Sequence, residues 1–454
     1  MTLKRQMTNL IKLKKGYDIK LVGEAAKEFA QNEASRTYVV KPSEFFGITP
    51  KLLVEVGSEV KCGTPLFFAK GQPEMMFTSP VSGEVVEINR GEKRAILEIK
   101  ILADGKMQHE TFPSGDPASL GRETVKAQML KSGAWTLLRQ RPFNRLADVF
   151  VSPKNIFVSG FDSSPLAPDL NFALKGRESH LQAGINALAA LTDGKVFLGL
   201  KHGADNSTFQ SLKNVVINHF DGPHPAGNVG IQIHHTAPIN KGDHVWTVNA
   251  QDLATIGKLF TEGIFDPERV IAITGSEVKV PKYAKVRQGA NVDYLLKDNL
   301  SEGKNRVISG SVLFGTTISE NGYLGYYDQQ ISVIPEGEDP EMFGWLIPTY
   351  PRPSISKTFL SYLMPNKKFK VNTNMHGEER AYVVTNEYEK VLPMDILPVH
   401  LIKACLANDL EAMEALGIFE VVEEDLALCE FVCTSKAPVQ EILAEGLALI
   451  EKEG

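Results

Sequence analysis

Long apolar runs and cysteines are both scarce in this chain of 454 residues. No run reaches the roughly eighteen apolar residues of a membrane-spanning helix, which excludes that class of span. Four cysteines are too few for a disulfide framework and fit a reducing compartment. Cys429 and Cys433, spaced Cys-x3-Cys, cannot alone complete a zinc or iron–sulfur site, so we expect inert packing in an apolar helical pattern.

A basic block is also absent. The net charge of −6 argues against nucleic acid as a main partner. The N-terminal residues carry charge but lack the apolar core of a signal peptide, so we expect a chain that stays in the cytoplasm, free or docked on a membrane complex. Translation from Met7 instead of Met1 is an open alternative. The length and the 43% hydrophobic composition predict a globular protein of roughly three domains.

The clearest module lies between residues 45 and 102, where short strands alternate with glycine turns. The run Ser79-Pro80-Val81-Ser82-Gly83 is typical of a barrel-sandwich hybrid, the fold of biotinyl and lipoyl domains. Those carriers hold a modified lysine on a hairpin tip shortly before this proline. Gln72 stands there and Lys70 is out of register, so the sequence predicts a scaffold rather than a swinging-arm carrier.

An α/β block follows. Strand-like runs at 155–160, 195–200 and 215–217, with a helical pattern at 179–190, predict a parallel sheet covered by helices. A dinucleotide fingerprint needs Gly-x-Gly-x-x-Gly after the first strand, whereas residues 160–168 have one glycine and two prolines. We therefore predict a Rossmann-like sheet without a bound nucleotide.

The remaining chain divides into a β-rich part and a helical part. Short strands with glycines over 269–334 predict a small β-grasp (SLBB-like) domain, and amphipathic patterns predict a helical domain from Pro335 onward. The expected architecture is therefore multidomain α/β. The predicted domains are 1–107 (barrel-sandwich hybrid with an N-terminal extension), 108–262 (Rossmann-like), 263–335 (β-grasp) and 336–454 (helical).

The stretch from Phe220 to His235 is the central candidate site. Its two prolines and three glycines predict a long functional loop, not a regular helix. Three interpretations compete: a structural loop, a metal site, and a contact surface for a ligand or partner. The histidine spacing is irregular and no cysteine is near, so we expect no metal.

Three sets of residues, in their order and spacing, resemble the NqrA family, the A subunits of the Na⁺-translocating NADH:quinone reductases (Nqr). The sets are 79–83 with 90–94, 224–227 with 233–234, and Gly417 with 423–433. The resemblance implies kinship in fold with the C subunit of Rnf complexes and the flavin subunit of complex I. Those relatives bind FMN, NADH and a 4Fe–4S cluster, whereas this chain resembles a version that lost them.

The resemblance implies a peripheral, cofactor-free subunit on the cytoplasmic face of the bacterial inner membrane, with no catalysis of its own. Its complex would oxidise NADH, reduce ubiquinone to ubiquinol and export Na⁺. Flavins and iron centres would lie in partner subunits, some of them membrane-embedded. The open alternative is a stand-alone flavin or NADH oxidoreductase on the Rossmann-like block, which would be yellow when purified.

Ubiquinone, the substrate that the resemblance implies, is a small molecule that the candidate stretch would suit. A quinone pocket needs an apolar wall and a hydrogen-bond donor. We expect a wall of Val229, Ile231 and Ile233, with donors among His224, His234 and His235; a histidine near its ordinary pKa of ~6.5 would also deliver protons. The same stretch, with Pro225 and Gly227, equally suits an interface with another subunit. No catalytic, cofactor or metal residue is assigned.

Overall fold

A computed structural model describes residues 9–31, 34–337, 352, 353, 355, 357 and 359–453. In chain order its strands are β1 (Asn9–Lys12), β2 (Ala26–Phe29), β3 (Thr37–Val40), β4 (Pro50–Leu52), β5 (Glu59–Val60), β6 (Pro65–Ala69), β7 (Gln72–Thr78), β8 (Gly83–Arg90), β9 (Ile96–Ala103), β10 (Arg139–Arg141), β11 (Arg145–Leu146), β12 (Ile156–Ser159), β13 (Val196–Lys201), β14 (Val216–Asp221), β15 (Val245–Asn249), β16 (Glu268–Thr274), β17 (Lys282–Arg287), β18 (Asn305–Ser309), β19 (Thr316–Ile318) and β20 (Gln330–Pro335).

The α-helices are α1 (Pro117–Leu120), α2 (Arg122–Ser132), α3 (Leu170–Ala173), α4 (Glu178–Leu191), α5 (Val229–Thr236), α6 (Ala250–Glu262), α7 (Asp293–Leu296), α8 (Tyr388–Val391), α9 (Pro398–Ala407), α10 (Leu410–Ala415), α11 (Glu423–Val432) and α12 (Val439–Glu453). Short 3₁₀ helices lie at Pro42–Glu44, Glu92–Arg94, Ala134–Leu137, Ser207–Phe209, Leu360–Leu363 and Ile418–Glu420.

The N-terminal module consists of two small sheets, ordered β3-β9-β8-β5 and β4-β6-β7. Between them Phe67 stacks on Phe77 with 4.5 Å between ring centroids, and both are fully buried. At the hairpin tip the Gln72 amide donates to Asp148 of the next domain (3.2 Å). The tip therefore rests on the α/β domain through Gln72, while Lys70 in the turn before it is exposed.

The seven-stranded sheet of the α/β domain has the order β1-β14-β13-β12-β15-β10-β11. The first five are parallel, β10 runs antiparallel to β15, and β11 runs antiparallel to β10. From β12 the chain continues to β13 on one side, while β15 lies on the other, so the order reverses between β12 and β15. Ligands of open α/β sheets bind at such a point, beyond the carboxyl ends of the strands.

Helices α4 and α6 pack tightly against each other beside this sheet. A Cβ at Gly257 would overlap the carbonyl of His180, and one at Gly184 would overlap the carbonyl of Leu253. Glycine at both positions lets the two backbones approach. Helix α6 begins at Asn249, whose side chain accepts from the Gln251 N–H (2.9 Å), and this cap fixes the turn at the end of β15.

The third sheet has the order β19-β18-β20-β16-β17-β2 and mixes parallel with antiparallel pairs. The first two strands of the chain were not predicted in these places: β1 is an edge of the α/β sheet and β2 an edge of the third sheet. Every residue of β2 is exposed, so the segment has no alternation from which a strand could be predicted.

The C-terminal domain is helical from α8 onward. The prediction of helices directly after Pro335 is wrong for the described residues before 388, where the one helical piece is the 3₁₀ turn Leu360–Leu363. Cys429 and Cys433 are buried in the helical core, as expected of packing residues. Among the described residues no three or more His, Cys, Asp or Glu side chains group as a metal site requires. No helix in that part of the chain is long and apolar enough to cross a bilayer.

Candidate functional site

The stretch from Phe220 to His235 is half loop and half helix. Strand β14 ends at Asp221, a loop covers residues 222–228, and α5 begins at Val229. The prediction that the whole stretch is a loop is therefore wrong for residues 229–235. Its prolines and two of its glycines precede the helix, and the third, Gly230, is required within it, since a Cβ there would overlap the Asp425 carboxylate.

His224 is a buried structural residue of the loop. Its Nδ1 lies 3.0 Å from the Ser163 hydroxyl, which also accepts from the Gly227 N–H (2.8 Å). Its backbone N–H donates to Asp18 (2.8 Å). Burial lowers the pKa of His224 to about 4, so the ring is neutral at pH 7. The predicted proton delivery by His224 at its ordinary pKa is therefore wrong.

His234 and His235, near the end of α5, bind the C-terminal domain of the same chain. His234 Nε2 accepts from the Asp395 N–H (3.0 Å), so its Nδ1 donates to Glu420 (2.7 Å). His235 Nε2 donates to the Pro393 carbonyl (2.6 Å). The two rings thus fasten α5 to the helical domain.

The apolar residues of α5 do not form one wall. Ile231 is buried in the core of the C-terminal domain, whereas Ile233 is buried against the α/β sheet with Phe157. Val229, with Gly227 before it, instead lines a cavity at the strand ends. The structure therefore separates the eight predicted site residues into loop, interface and cavity positions.

That cavity, of about 460 Å³, opens beyond the carboxyl ends of β12 and β15, at the point where the strand order reverses. We call it the switch-point cavity. All four parts of the chain contribute to it. Its lining includes Glu44, Arg139, Phe161, Asp162, Gly227, Val229, Asn249, Asp252, Phe314, Tyr326, Tyr327, Asp328, Gln330, Glu423 and Glu424.

The cavity is strongly acidic. Six carboxylates line it, at positions 44, 162, 252, 328, 423 and 424, against one cation, Arg139, which stacks on the Tyr327 ring at 4.6 Å. Burial raises the pKa of Glu44 and of Glu424 to about 7, and it also raises the pKa of the three aspartates. Carboxyl groups that keep their proton can donate hydrogen bonds, so such a lining suits a ligand with hydrogen-bond acceptors.

Two buried arginines lie behind the cavity and hold its walls. Arg141 donates to Asp425 and to Glu424, each at 2.7 Å, and joins the α/β domain to α11. Arg269 donates to Asp252 (2.7 Å) and to the Asp328 carbonyl (3.0 Å), which joins α6 to the third sheet. Three ion pairs between domains, made by these two arginines, thus hold the cavity walls.

Sequence reasoning missed most of the cavity. Asp162 follows the predicted strand at 155–160, so its position at a strand end was a usable signal. Glu44, Asp328 and Glu424 come from three other parts of the chain, and no local pattern brings them together.

Three family models match the chain in succession. They are the NqrA N-terminal barrel-sandwich hybrid domain over residues 11–104, the NqrA second alpha/beta domain over 120–265 and the NQRA C-terminal domain over 270–320. The match confirms the barrel-sandwich hybrid and the α/β domain that the sequence predicted.

Curated relatives match over almost the whole length. The A subunit of the Na(+)-translocating NADH-quinone reductase of Serratia proteamaculans (strain 568) is 40% identical over 450 residues, which is 98% of this chain and 100% of that protein. The proteins of the same name from Neisseria meningitidis serogroup B and Vibrio atlanticus are 39% and 38% identical over 448 residues, again 98% of this chain and 100% of each relative.

Among solved structures, an NAD⁺-reducing [NiFe]-hydrogenase in the H₂-reduced state matches 48% of this chain and 48% of its own, with 14% identity and a TM-score of 0.36, too low to support a shared fold. The relatives are decisive: at 38–40% identity over 98% of its length, the chain belongs to the NqrA family, the A subunits of the Na⁺-translocating NADH-quinone reductases.

Proposed function

We propose that this chain is a peripheral subunit of a complex that oxidises NADH, reduces ubiquinone to ubiquinol and exports Na⁺. Full-length identity to proteins named as the A subunit of such a reductase carries this proposal. Its partners would be the other subunits of the complex, including membrane-embedded ones, and its place would be the cytoplasmic face of the bacterial inner membrane. The third sheet would be a β-grasp domain of the SLBB type.

The chain itself would hold no cofactor and perform no catalysis alone. The lining of the switch-point cavity supports this, because Arg139 is the one cation among the lining residues that could pair with a phosphate. Burial also raises the pKa of Cys429 far above its ordinary value, which keeps this thiol protonated and a poor metal ligand. Flavins and iron centres would reside in partner subunits. No observation favours the alternative of a stand-alone flavin or NADH oxidoreductase.

The chain would contribute to quinone reduction through the switch-point cavity. Phe161, Val229 and Phe314 offer apolar surface to a quinone ring, and Glu44 and Glu424, half-protonated near pH 7, offer protons to its oxygens. Reduction of the quinone takes up two electrons and two protons; the electrons would come from carriers in partner subunits. His234 and His235 would serve the interface of α5 rather than the quinone.

Complex membership is tested by purifying the tagged chain from gently solubilised membranes. We expect flavin- and iron-containing proteins to co-purify, with NADH:quinone activity that Na⁺ stimulates, while the chain expressed alone is colourless. A chain that purifies alone from membranes would refute complex membership, and a yellow isolated chain would restore the flavin alternative.

The quinone role is tested in the intact complex. We expect Glu44→Gln and Glu424→Gln to raise the KM for a short-chain ubiquinone, while His224→Gln and His234→Gln leave it unchanged. An unchanged KM and unchanged inhibitor response in all four variants would exclude quinone contact with this cavity and with the histidines.

A further inference from the structure

Residues 352–370 have a charge opposite to that of the whole chain. This segment contains Arg352, Lys357, Lys367, Lys368 and Lys370 and no Asp or Glu, whereas the chain as a whole has a net charge of −6. A cationic run in an acidic protein selects for anionic partners. We call the described residues 357 and 359–370 the basic–apolar segment.

Large apolar side chains of this segment face solvent. Leu360 is 61% and Leu363 is 71% exposed, and Tyr362 and Met364 beside them are also exposed. The four lie in and directly after the 3₁₀ turn Leu360–Leu363. Single exposed apolar residues need no explanation, but four within five consecutive positions do.

The cations flank this apolar turn closely. The Lys357 ammonium lies 4.9 Å from the centre of the Tyr362 ring. After the turn, the Lys367 N–H donates to the Met364 carbonyl (3.0 Å), and the Lys367 ammonium lies 6.0 Å from the centre of the buried Phe369 ring. Exposed apolar side chains and cations are therefore combined in one short segment, as in interfacial membrane anchors.

The base of the segment is fixed to the body of the protein. Phe369 is buried, and its N–H donates to the Lys20 carbonyl (2.8 Å). Lys368 pairs with Glu24 (2.8 Å) and Lys370 with Glu277 (2.7 Å). These two ion pairs neutralise the cations nearest the base, so Lys357 and Lys367 supply the charge beside the apolar turn.

We propose that the basic–apolar segment docks on an anionic lipid surface. Leu360, Leu363 and Met364 insert among the headgroups, and Lys357 and Lys367 bind their phosphates. Insertion removes apolar surface from water, and each cation near an anionic bilayer strengthens binding on the order of fivefold. The positive charge of the segment complements anionic lipid. The inference builds on the proposed peripheral location by naming the surface that contacts the bilayer.

Vesicle co-sedimentation of the purified full chain tests this directly. We expect the chain to bind vesicles of phosphatidylcholine in which about one lipid in three is phosphatidylglycerol, and to bind vesicles of phosphatidylcholine alone only slightly. Binding to the anionic vesicles should weaken as the NaCl concentration rises. Leu360→Ser with Leu363→Ser should weaken binding at least about tenfold. Lys357→Gln with Lys367→Gln should weaken vesicle binding about 25-fold, since each cation contributes about fivefold.

Matched control variants stand elsewhere on the surface. Phe150→Ser removes an apolar side chain that is 81% exposed, and Lys61→Gln with Lys70→Gln removes two exposed cations from the N-terminal module. We expect both controls to bind vesicles as the parent does, and circular dichroism to show that all variants fold.

Three vesicle results would overturn the proposal. Equal binding to both vesicle types, no binding, or binding that the segment variants leave unchanged would each exclude an anionic-lipid surface here. Unchanged vesicle binding with lost co-purification would identify the segment as a docking surface for a partner subunit instead. A chain that binds vesicles but co-purifies with no other protein of the complex would refute the proposed complex membership and leave this inference intact.

Discussion

Arg141 and Arg269 are both buried between domains, yet they neutralise different numbers of carboxylates. Arg141 faces two, Glu424 and Asp425, whereas Arg269 faces one, Asp252, and a backbone carbonyl. In both, Nε is buried without a hydrogen-bond partner among the described residues. One junction therefore carries a surplus negative charge and the other is balanced.

The surplus negative charge of the Arg141 junction extends to the switch-point cavity through Glu424. The Asp425 side chain is fully buried, but that of Glu424 is 32% exposed, and it is the one that lines the cavity. Burial raises the pKa of Glu424 to about 7, although Arg141 lowers it in part. The unequal junctions thus give the cavity a carboxyl that exchanges its proton near neutral pH.

Arg141→Met should have the largest effect. It leaves two carboxylates without their cation, one of them wholly buried, and we expect a loss of about 5 kcal/mol in the free energy of unfolding. Urea unfolding followed by fluorescence of the neighbouring Trp135 and Trp246 measures it. The control Arg122→Met breaks an exposed pair with Asp193 and should cost less than about 1 kcal/mol. Equal losses in the two variants would show that the Arg141 cluster is not a buried charge site.

Arg269→Met should cost less, about 3 kcal/mol, because it leaves one buried carboxylate. The double variant Arg269→Met with Asp252→Leu should regain most of this loss, since it removes both charges. The corresponding variant Arg141→Met with Asp425→Leu should regain only part, because Glu424 still lacks its cation. Equal recovery at the two junctions in urea unfolding would contradict the charge difference between them.

Gly230→Ala should destabilise the first junction sterically. The added Cβ would overlap the Asp425 carboxylate and crowd the Arg141 guanidinium, and we expect a loss of about 2 kcal/mol. Gly71→Ala, at a position with open space around the new Cβ, is the control and should change stability by less than about 0.5 kcal/mol. Thermal unfolding of the three proteins compares them; a loss no greater than that of the control would mean that α5 shifts freely.

The sequence predicted those parts of the molecule that depend on local pattern. The alternation of strands and helices predicted the parallel sheet, because a helix that connects two neighbouring strands leaves them parallel. The helices themselves were visible because apolar residues recur every three or four positions. Helix α5 was not predicted, because Gly230 together with the nearby prolines suggests a loop. The glycine is needed there because Asp425, distant in sequence, packs against it. The cavity could not be predicted for the same reason: Glu44, Asp328 and Glu424 meet through domain packing, which leaves no local periodicity.

Glu44 completes the comparison as a cavity carboxyl without an ion pair among the described residues. Its carboxylate accepts the Tyr326 N–H at 3.3 Å, and burial raises its pKa from 4.5 to about 7. The folded state then holds this proton more tightly than the unfolded chain does. The stabilisation is complete below pH 4.5 and is lost as pH rises through 7.

Glu44→Gln, which has no proton to lose, should therefore gain stability over the parent by up to about 3 kcal/mol between about pH 4.5 and pH 8. Urea unfolding of both proteins across that range measures the difference, in which the titrations common to both cancel. Glu74→Gln, an exposed glutamate of the same module, should give a flat difference. A flat difference for Glu44 as well would mean that water enters the cavity freely. Glu44 could then not be a proton donor near neutral pH, and the Glu424 carboxyl beside Arg141 would take that role.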